Sequence, residues 1–191
     1  MFGIKTFKPW VGKKYGKKNS FKVMVLGYSR YDEDYTDYDI INNSDGGRTH
    51  TNFIQAVLSK KYWEDNYDPF QFWHETIFYN YNTTFFPGKA RVTPEWADLV
   101  NKQNSKLLKK MLEKYKPTHC IVWGKANWES IEVEGVEWGL SKNIPNLPIG
   151  HPYCTVTIKD HTTKFTYVKH PSTAFLYEHW RKVIKTFLTF D

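Results

Sequence analysis

Short apolar runs alternate along this chain with segments that carry apolar residues at helical spacing. Three of the runs end at glycine or asparagine, which is typical of buried parallel strands that lead into loops. They are residues 21–26 before Gly27, residues 77–82, and residues 119–123 before Gly124. Helical spacing predicts helices over residues 51–61, 69–75, 94–115 and 125–131, and in the segment after Ser172.

The order of these elements predicts the architecture. The run that ends before Gly124 is followed at once by a helical segment, which is typical of a βα step in a parallel sheet. Residues 153–159 and 164–169 alternate around a polar turn and are predicted to be two more strands. Residues 132–150 contain proline and glycine turns and little periodicity, which predicts a surface loop. We therefore expect an α/β fold, a three-layer αβα sandwich with a mostly parallel central sheet.

The first 20 residues differ in composition from the rest of the chain. They contain no acidic residue and six lysines, which are Lys5, Lys8, Lys13, Lys14, Lys17 and Lys18. This composition predicts either a mobile, solvated arm or an arm that binds phosphate groups, with an affinity that falls as salt rises. A length of 191 residues suits one domain. We expect a basic arm at 1–20 and a single domain at 21–191.

Charge and cysteine content narrow the class of protein. The net charge of +7 favours a polyanionic partner such as nucleic acid, although many basic proteins bind none. Cys120 and Cys154 are predicted to be reduced thiols in the core, which favours a cytoplasmic protein. No apolar run approaches the roughly 20 residues that cross a bilayer, so no membrane partner is expected. We expect a monomer.

Ligands of parallel α/β sheets bind where the strands end at their carboxyl edge. If the first strand, the second strand and the last strand lie in one sheet, their loops converge there. A cleft at that edge would then be surrounded by Ser29, Arg30, Tyr31, Asn80 and His170.

Four motifs in these regions occur in a fixed order along residues 21–188. They are Val-Leu-Gly-Tyr-Ser-Arg-Tyr at 25–31, Phe-Tyr-Asn-Tyr at 78–81 before the helix start Thr-Pro-Glu-Trp at 93–96, Lys-Pro-Thr-His-Cys-Ile-Val-Trp-Gly-Lys at 116–125, and His-Pro-Ser-Thr-Ala-Phe at 170–175. In this order the chain resembles the uracil-DNA glycosylase superfamily, and in particular its small bacterial members.

The resemblance implies a glycosylase that accepts one flipped base in a pocket. Asn80, with Asn82 as the second candidate, would read the base edge, because an amide offers both a donor and an acceptor. His170 would donate a hydrogen bond to the departing base. The first loop would position water and bind the base through Gly27, Tyr28, Ser29, Arg30 and Tyr31. DNA contacts would come from Lys169, Pro171 and Ser172 and from the arm residues Lys13, Lys14, Lys17 and Lys18.

The first loop departs from the family pattern, because many active members carry Asp, Asn or Glu where this chain has Tyr28 and Ser29. Asp32 is the nearest substitute, followed by Glu33 and Asp34, although an acidic run in a loop is also typical of a solvated segment. The catalytic candidates are therefore His170, Ser29 and Asp32. The alternatives are a non-catalytic nucleic-acid or nucleotide-binding module and a protein that binds other proteins through an aromatic surface.

No cofactor or metal is expected. The seven histidines are scattered without ligand spacing, and two cysteines are too few for the iron-sulfur cluster found in one branch of the family.

Overall fold

The computed structural model describes residues 8–17, 22–28, 47–82, 94–140, 147–148 and 150–189. Within these ranges the chain forms seven strands and five helices. The strands are β1 (Trp10–Val11), β2 (Val23–Gly27), β3 (Ile77–Asn80), β4 (His119–Trp123), β5 (Val136–Leu140), β6 (Pro152–Ile158) and β7 (His161–Val168). The helices are α1 (Gly47–Leu58), α2 (Pro69–Glu75), α3 (Pro94–Tyr115), α4 (Lys125–Ser130) and α5 (Tyr177–Leu188).

All seven strands belong to one sheet, in the order β1-β3-β2-β4-β7-β6-β5. The central strands β3, β2, β4 and β7 are parallel to their neighbours in this group. The outer strands β1, β6 and β5 pair antiparallel. The prediction of a mostly parallel sheet is thus correct for the centre and wrong for the outer strands, which make the sheet mixed. The carboxyl ends of the four central strands lie at one edge.

Helices cover both faces of the sheet. Successive strand residues point to opposite faces, so each strand contributes apolar side chains to both helix layers. Val25 and Ile121 face one apolar cluster, which includes side chains of α1, α2 and α5. Leu26 and Val122 face a second cluster, which includes side chains of α3 and α4. Each such fully buried aliphatic side chain contributes about 1.5–3 kcal/mol. The arrangement is α/β and compatible with the predicted three-layer sandwich.

The strand β1 lies inside the segment that the sequence predicts to be an arm. Trp10 is only 6% exposed, and its ring N–H donates to the carbonyl of Trp73 at 2.8 Å. Trp10 and Val11 pair with β3, and the backbone N–H of Gly12 donates to Thr76 O at 2.9 Å. A mobile, solvated arm at 1–20 is therefore wrong for residues 10–12, which the buried indole and the backbone pairs hold in the sheet.

The strand β5 corrects a second prediction, that residues 132–150 form a surface loop. Residues 136–140 pair antiparallel with β6 at the edge of the sheet. Its apolar side chains are not buried, since Trp138 is 60% exposed and Leu140 is 50% exposed. Because few positions of this edge strand are buried, its sequence lacks the alternation of apolar and polar residues that would predict a strand.

Both cysteines lie on strands as buried free thiols, as predicted. Cys120 on β4 and Cys154 on β6 both pair with Phe165 of β7. Burial raises the pKa of both thiols, and that of Cys154 to about 12. Neither thiol forms the reactive thiolate at neutral pH.

Among the described residues, no helix is long and apolar enough to cross a membrane.

Candidate functional site

A cleft of about 410 Å³ opens at the carboxyl edge of the parallel strands. Tyr28 lies after β2, residues 123–127 join β4 to α4, and the segment after β7 contributes Lys169, His170, Ser172 and Thr173. The volume is typical of pockets for small ligands, which span roughly 300–1,000 Å³. Three loops that are distant in sequence therefore line the same cleft.

Asn80 lies beside this cleft at the end of β3. It pairs with Gly27 across the sheet and is 7% exposed. A side chain at Gly27 would collide with Asn80 Oδ1 and with the ring of Phe78. Glycine therefore leaves room for the Asn80 amide over the end of β2. Asn80 itself is not among the described residues that line the cleft.

Asn82, the second candidate for reading a base edge, is held in a buried hydrogen bond. Asn104 Nδ2 on α3 donates to Asn82 Oδ1 at 2.7 Å, and the backbone N–H of Asn82 donates to Tyr28 O at 2.9 Å. Because its side-chain oxygen already accepts this bond, Asn82 has a structural role that joins α3 to the first loop.

His170 lines the cleft as one tautomer. The backbone N–H of Ser172 donates to His170 Nδ1 at 3.3 Å, and Ser172 Oγ lies 2.7 Å from the same nitrogen. Since Nδ1 accepts, the proton of the neutral ring is on Nε2. Burial lowers the pKa of His170 from its ordinary value, so the ring is neutral at pH 7. His170 thus offers a neutral N–H donor.

The turn that carries His170 is fixed from two sides. Asn52 Nδ2 on α1 donates to Pro171 O at 2.8 Å. On the other side, the backbone N–H of Gly124 donates to Val168 O at 2.8 Å, and a Cβ at Gly124 would lie 3.5 Å from His170 Cβ. The neighbouring loop and a helix therefore hold the imidazole in place.

Asn127 is a cleft residue that the sequence analysis did not single out. It is 1% exposed, and its Nδ2 donates to Leu26 O at 3.2 Å and Gly27 O at 3.0 Å. Its Oδ1 is buried and has no hydrogen-bond partner among the described residues. One feature of the sequence could have indicated Asn127. It is an amide in the first helical turn after a strand and a glycine, where its side chain can reach the end of the neighbouring strand.

Trp123 at the end of β4 is 2% exposed and packs against Phe53 and Phe78. Its ring also meets His170 edge to face, with centroids 6.1 Å apart. Its Nε1 is buried without a hydrogen-bond partner in the described ranges. Trp123 is therefore a core residue that also lines the cleft.

Several predicted site residues do not join the cleft. Lys13, Lys14 and Lys17 are exposed and follow β1, which runs antiparallel to β3 and so brings them to the opposite edge of the sheet. Predicted residues outside the described ranges are Lys18, Ser29, Arg30, Tyr31, Asp32, Glu33 and Asp34.

The charge around the cleft is basic. Lys125 and Lys169 line it, and Lys125 pairs with Glu129 of its own helix at 3.4 Å on the surface. Among the described lining residues no side chain is a carboxylate. In the same part of the chain, no group of three or more His, Cys, Asp or Glu residues is arranged to hold a metal ion.

A larger groove of about 700 Å³ lies between α3, α4 and β5. Its wall carries lysines and glutamates of opposite charge together with the exposed Trp138. We regard the smaller cleft as the better site, because it lies at the carboxyl edge and contains the oriented imidazole.

No protein-family model matches this chain, and no curated protein matches it. A function therefore has to be inferred from its residues and from the geometry of the cleft.

Proposed function

We propose that this chain is a DNA glycosylase-like protein that binds one flipped base in the carboxyl-edge cleft. The observation that carries the proposal is the meeting of Tyr28 with His170 and Ser172 in one pocket, with Asn80 beside it. These residues come from three of the four motifs that resemble the uracil-DNA glycosylase superfamily. A pocket of this size suits a single heterocycle.

The proposed reaction is hydrolysis of the N-glycosidic bond. Water forms a bond to the sugar carbon as the bond from that carbon to the base nitrogen breaks. The base leaves with the bonding electrons, so negative charge develops on it, and the proton that the water loses ends on the released base. The Nε2–H of neutral His170 is the donor for that charge. Because a neutral imidazole keeps its Nε2 proton, it stabilises the charge on the departing base by a hydrogen bond rather than by proton transfer.

Phosphate contacts in the proposal come from the rim of the cleft. Lys125 and Lys169 flank the opening, and the whole chain has a net charge of +7. A flipped nucleotide carries its phosphates to the rim while its base occupies the cleft.

The test is a screen of base release. Single-stranded and duplex oligonucleotides, each with one modified base, are incubated with the protein, and free base is measured by mass spectrometry. We expect release from at least one substrate, and His170→Ala should slow that release by about 10² to 10³. Binding of DNA without release of any base, under conditions where a known glycosylase is active, would contradict the catalytic part.

The alternative is a non-catalytic module that binds a base or nucleotide on the same scaffold. It is favoured by the lack of a carboxylate among the described lining residues, since activation of water commonly uses one. Asp32→Asn distinguishes the two: a large loss of base release with unchanged DNA affinity supports the enzyme and assigns the water-activating group to Asp32.

A further inference from the structure

Two large aromatic side chains in the turn after α1 are exposed to solvent. Tyr62 is 61% exposed and Trp63 is 66% exposed, and their rings meet edge to face with centroids 4.8 Å apart. Single exposed apolar side chains are common on protein surfaces, whereas exposed apolar groups that adjoin one another mark interaction sites. The pair is therefore a candidate contact surface outside the cleft.

Hydrogen bonds hold the turn that carries these rings. The backbone N–H of Tyr62 donates to Gln55 Oε1 of α1 at 3.3 Å. The backbone N–H of Lys61 donates to Glu64 Oε1 at 3.0 Å, and the N–H of Glu64 donates back to Lys61 O at 3.0 Å. A ligand that binds the two rings therefore does not have to order this turn first, which favours binding.

Lys61 joins the turn to the start of α5. Its Nζ lies 3.3 Å from the centroid of the Tyr177 ring and 5.7 Å from that of the Trp63 ring. A cation over an aromatic face contributes about 0.5–1 kcal/mol at an exposed site. Tyr177 is the first residue of α5, and Thr173, shortly before it in the chain, lines the cleft. The exposed rings therefore lie near the segment that leads from the cleft into α5.

A basic row continues along α5 from Tyr177. Arg181 and Lys185 follow Tyr177 at intervals of four residues, which places the three side chains on one face of the helix. A shallow hollow of about 360 Å³ on this helix is lined by Arg181, Lys182, Lys185 and Thr186. In the described part of the chain, none of its three cations forms an ion pair. The row is therefore free to bind anions.

The acidic residues nearby divide the surface into two parts. Glu178 is the acid of the first turn of α5, and it accepts a hydrogen bond from the Tyr177 hydroxyl at 3.2 Å. Glu64 and Asp65 directly follow Trp63 and repel phosphate groups. Phosphates are thus favoured along α5, and uncharged aromatic groups are favoured at the exposed rings.

We propose that Tyr62 and Trp63, together with Arg181, Lys182 and Lys185, form a strand surface that binds unpaired nucleic acid. Bases stack on the two rings, and phosphates contact the cations of α5, the combination that proteins use to bind single strands without reading their sequence. The inference rests on the proposed function in taking the partner to be a nucleic acid. It goes further by assigning a binding surface outside the cleft, on different elements of the fold.

Undamaged oligonucleotides test the strand surface without any base for the cleft to release. Fluorescence anisotropy compares oligothymidylates of about 4 and about 16 nucleotides, an oligouridylate of the longer length, and a DNA duplex of that length. We expect the long single strands to bind more tightly than the short strand and the duplex. The oligouridylate arm shows whether the surface prefers DNA or RNA.

Removal of one ring measures the stacking contribution. Trp63→Ala should weaken binding of the long strand by about five- to 100-fold, and Trp63→Phe, which keeps a ring, should retain most of the affinity. The matched control is Trp138→Ala, which removes a tryptophan that is 60% exposed on the edge strand β5. It should leave the affinity unchanged. Because Trp63 is 66% exposed, its loss should not unfold the protein.

Removal of cations measures the phosphate contribution. In the double variant Arg181→Ala with Lys185→Ala, the slope of log affinity against log salt should decrease in magnitude by about 0.7 for each cation removed. The control pair is Lys106→Ala with Lys110→Ala, which removes two exposed lysines, also four residues apart, from α3 on the other face of the sheet. This pair should leave the slope unchanged.

Each outcome decides the inference. Equal binding by Trp63→Ala and Trp138→Ala overturns it, as does an equal decrease of the salt slope in the two double variants. Self-association that Trp63→Ala abolishes, with no binding of single strands, also overturns it and assigns the rings to a contact between two copies of the chain. Strand binding without release of any modified base supports the strand surface and counts against catalysis. Base release by a protein that binds long strands no better than short ones does the reverse.

Discussion

The two edges of the parallel strands place their histidines in different surroundings. At the amino edge, His161 Nε2 lies 2.7 Å from Pro117 O, and Thr163 Oγ1 donates to the same carbonyl at 2.7 Å. His119 Nδ1 lies 3.0 Å from Thr118 Oγ1. These polar groups are satisfied by the backbone and side chains around them.

The carboxyl edge holds an open cleft instead. There an amide oxygen and an indole N–H are buried without partners in the described part of the chain, and His170 presents a donor to the opening. Polar residues alone therefore do not locate a site, since both edges have them. Buried polar atoms without a partner in the described ranges do not locate it either, because Thr76 Oγ1 before β3 is one at the amino edge. What distinguishes the carboxyl edge is the cleft and the imidazole of His170 that lines it.

Replacing a histidine at each edge gives the largest expected contrast. His170→Ala removes the donor to the departing base and should lower the rate of base release by about 10² to 10³. The matched variant His161→Ala removes an imidazole from the amino edge. It should lower stability by about 1 kcal/mol and leave the rate of release per folded molecule unchanged.

Single-turnover release and thermal unfolding of both variants separate these effects. Equal loss of rate in the two variants would remove the functional distinction between the edges.

Acid should lower the stability of the fold through a buried histidine at the carboxyl edge. His151 precedes β6 and stacks on Tyr167, and burial lowers its pKa to about 4, opposed by a hydrogen bond to the backbone of Tyr167 and aided by the charge of His179. Between pH 6.5 and 4 the unfolded chain binds a proton at this residue and the folded chain does not. His151 therefore does not lower the free energy of unfolding above pH 6.5, and that free energy falls by about 2–3 kcal/mol as the pH drops toward 4.

Denaturant titrations at several pH values measure this slope. His151→Asn, which does not titrate, should reduce it, and His170 contributes in the same direction because its pKa is also lowered by burial. A slope that His151→Asn leaves unchanged would show that other groups control acid sensitivity.

The central fold could be predicted from the sequence because its signals are local and strong. Helices α2 and α3 have the predicted bounds, since proline starts and regular apolar spacing mark them. Strand β1 could not be predicted, because two residues among lysines gain their stability from the distant Trp73 and from pairing with β3. Edge strand β5 was missed because exposed Trp138 gives no alternation of burial.

The site divides in the same way. The meeting of the first loop with His170 at one cleft could be predicted, because ends of parallel strands meet at one edge. Asn80, which the same argument placed around the cleft, is not among its described lining residues. The role of Asn127 could not be predicted, because an amide in a short helix becomes informative only when its bonds to Leu26 and Gly27 are known.

Alanine substitutions at two glycines with positive φ distinguish the effect of backbone strain from the effect of cleft geometry. Gly124 has φ 89° and ψ 140°, and Gly150 has φ 82°. Alanine at either position should cost about 1–3 kcal/mol in the free energy of unfolding. A Cβ at Gly124 would meet His170 Cβ at 3.5 Å, an ordinary contact, whereas at Gly150 it would meet no atom within 4 Å. A backbone shift that relieves strain at Gly124 would, however, move the cleft wall beside His170.

Only Gly124→Ala should therefore weaken base binding, by a few-fold, in calorimetric titrations at a temperature where both variants are folded. Similar weakening in Gly150→Ala would assign the effect to general destabilisation.

The smallest expected effect concerns phosphate contacts at the two edges. Lys169 lies beside the cleft, whereas Lys159 lies at the turn between β6 and β7 on the amino edge and pairs with Glu113 at 3.7 Å. If DNA binds across the cleft, Lys169→Ala removes one phosphate contact, and the slope of log affinity against log salt should decrease in magnitude by about one. Lys159→Ala lowers the net charge equally and should leave that slope unchanged. Anisotropy titrations at several salt concentrations measure both slopes, and an equal decrease in the two variants would mean that DNA responds to the charge of the whole protein rather than to this edge.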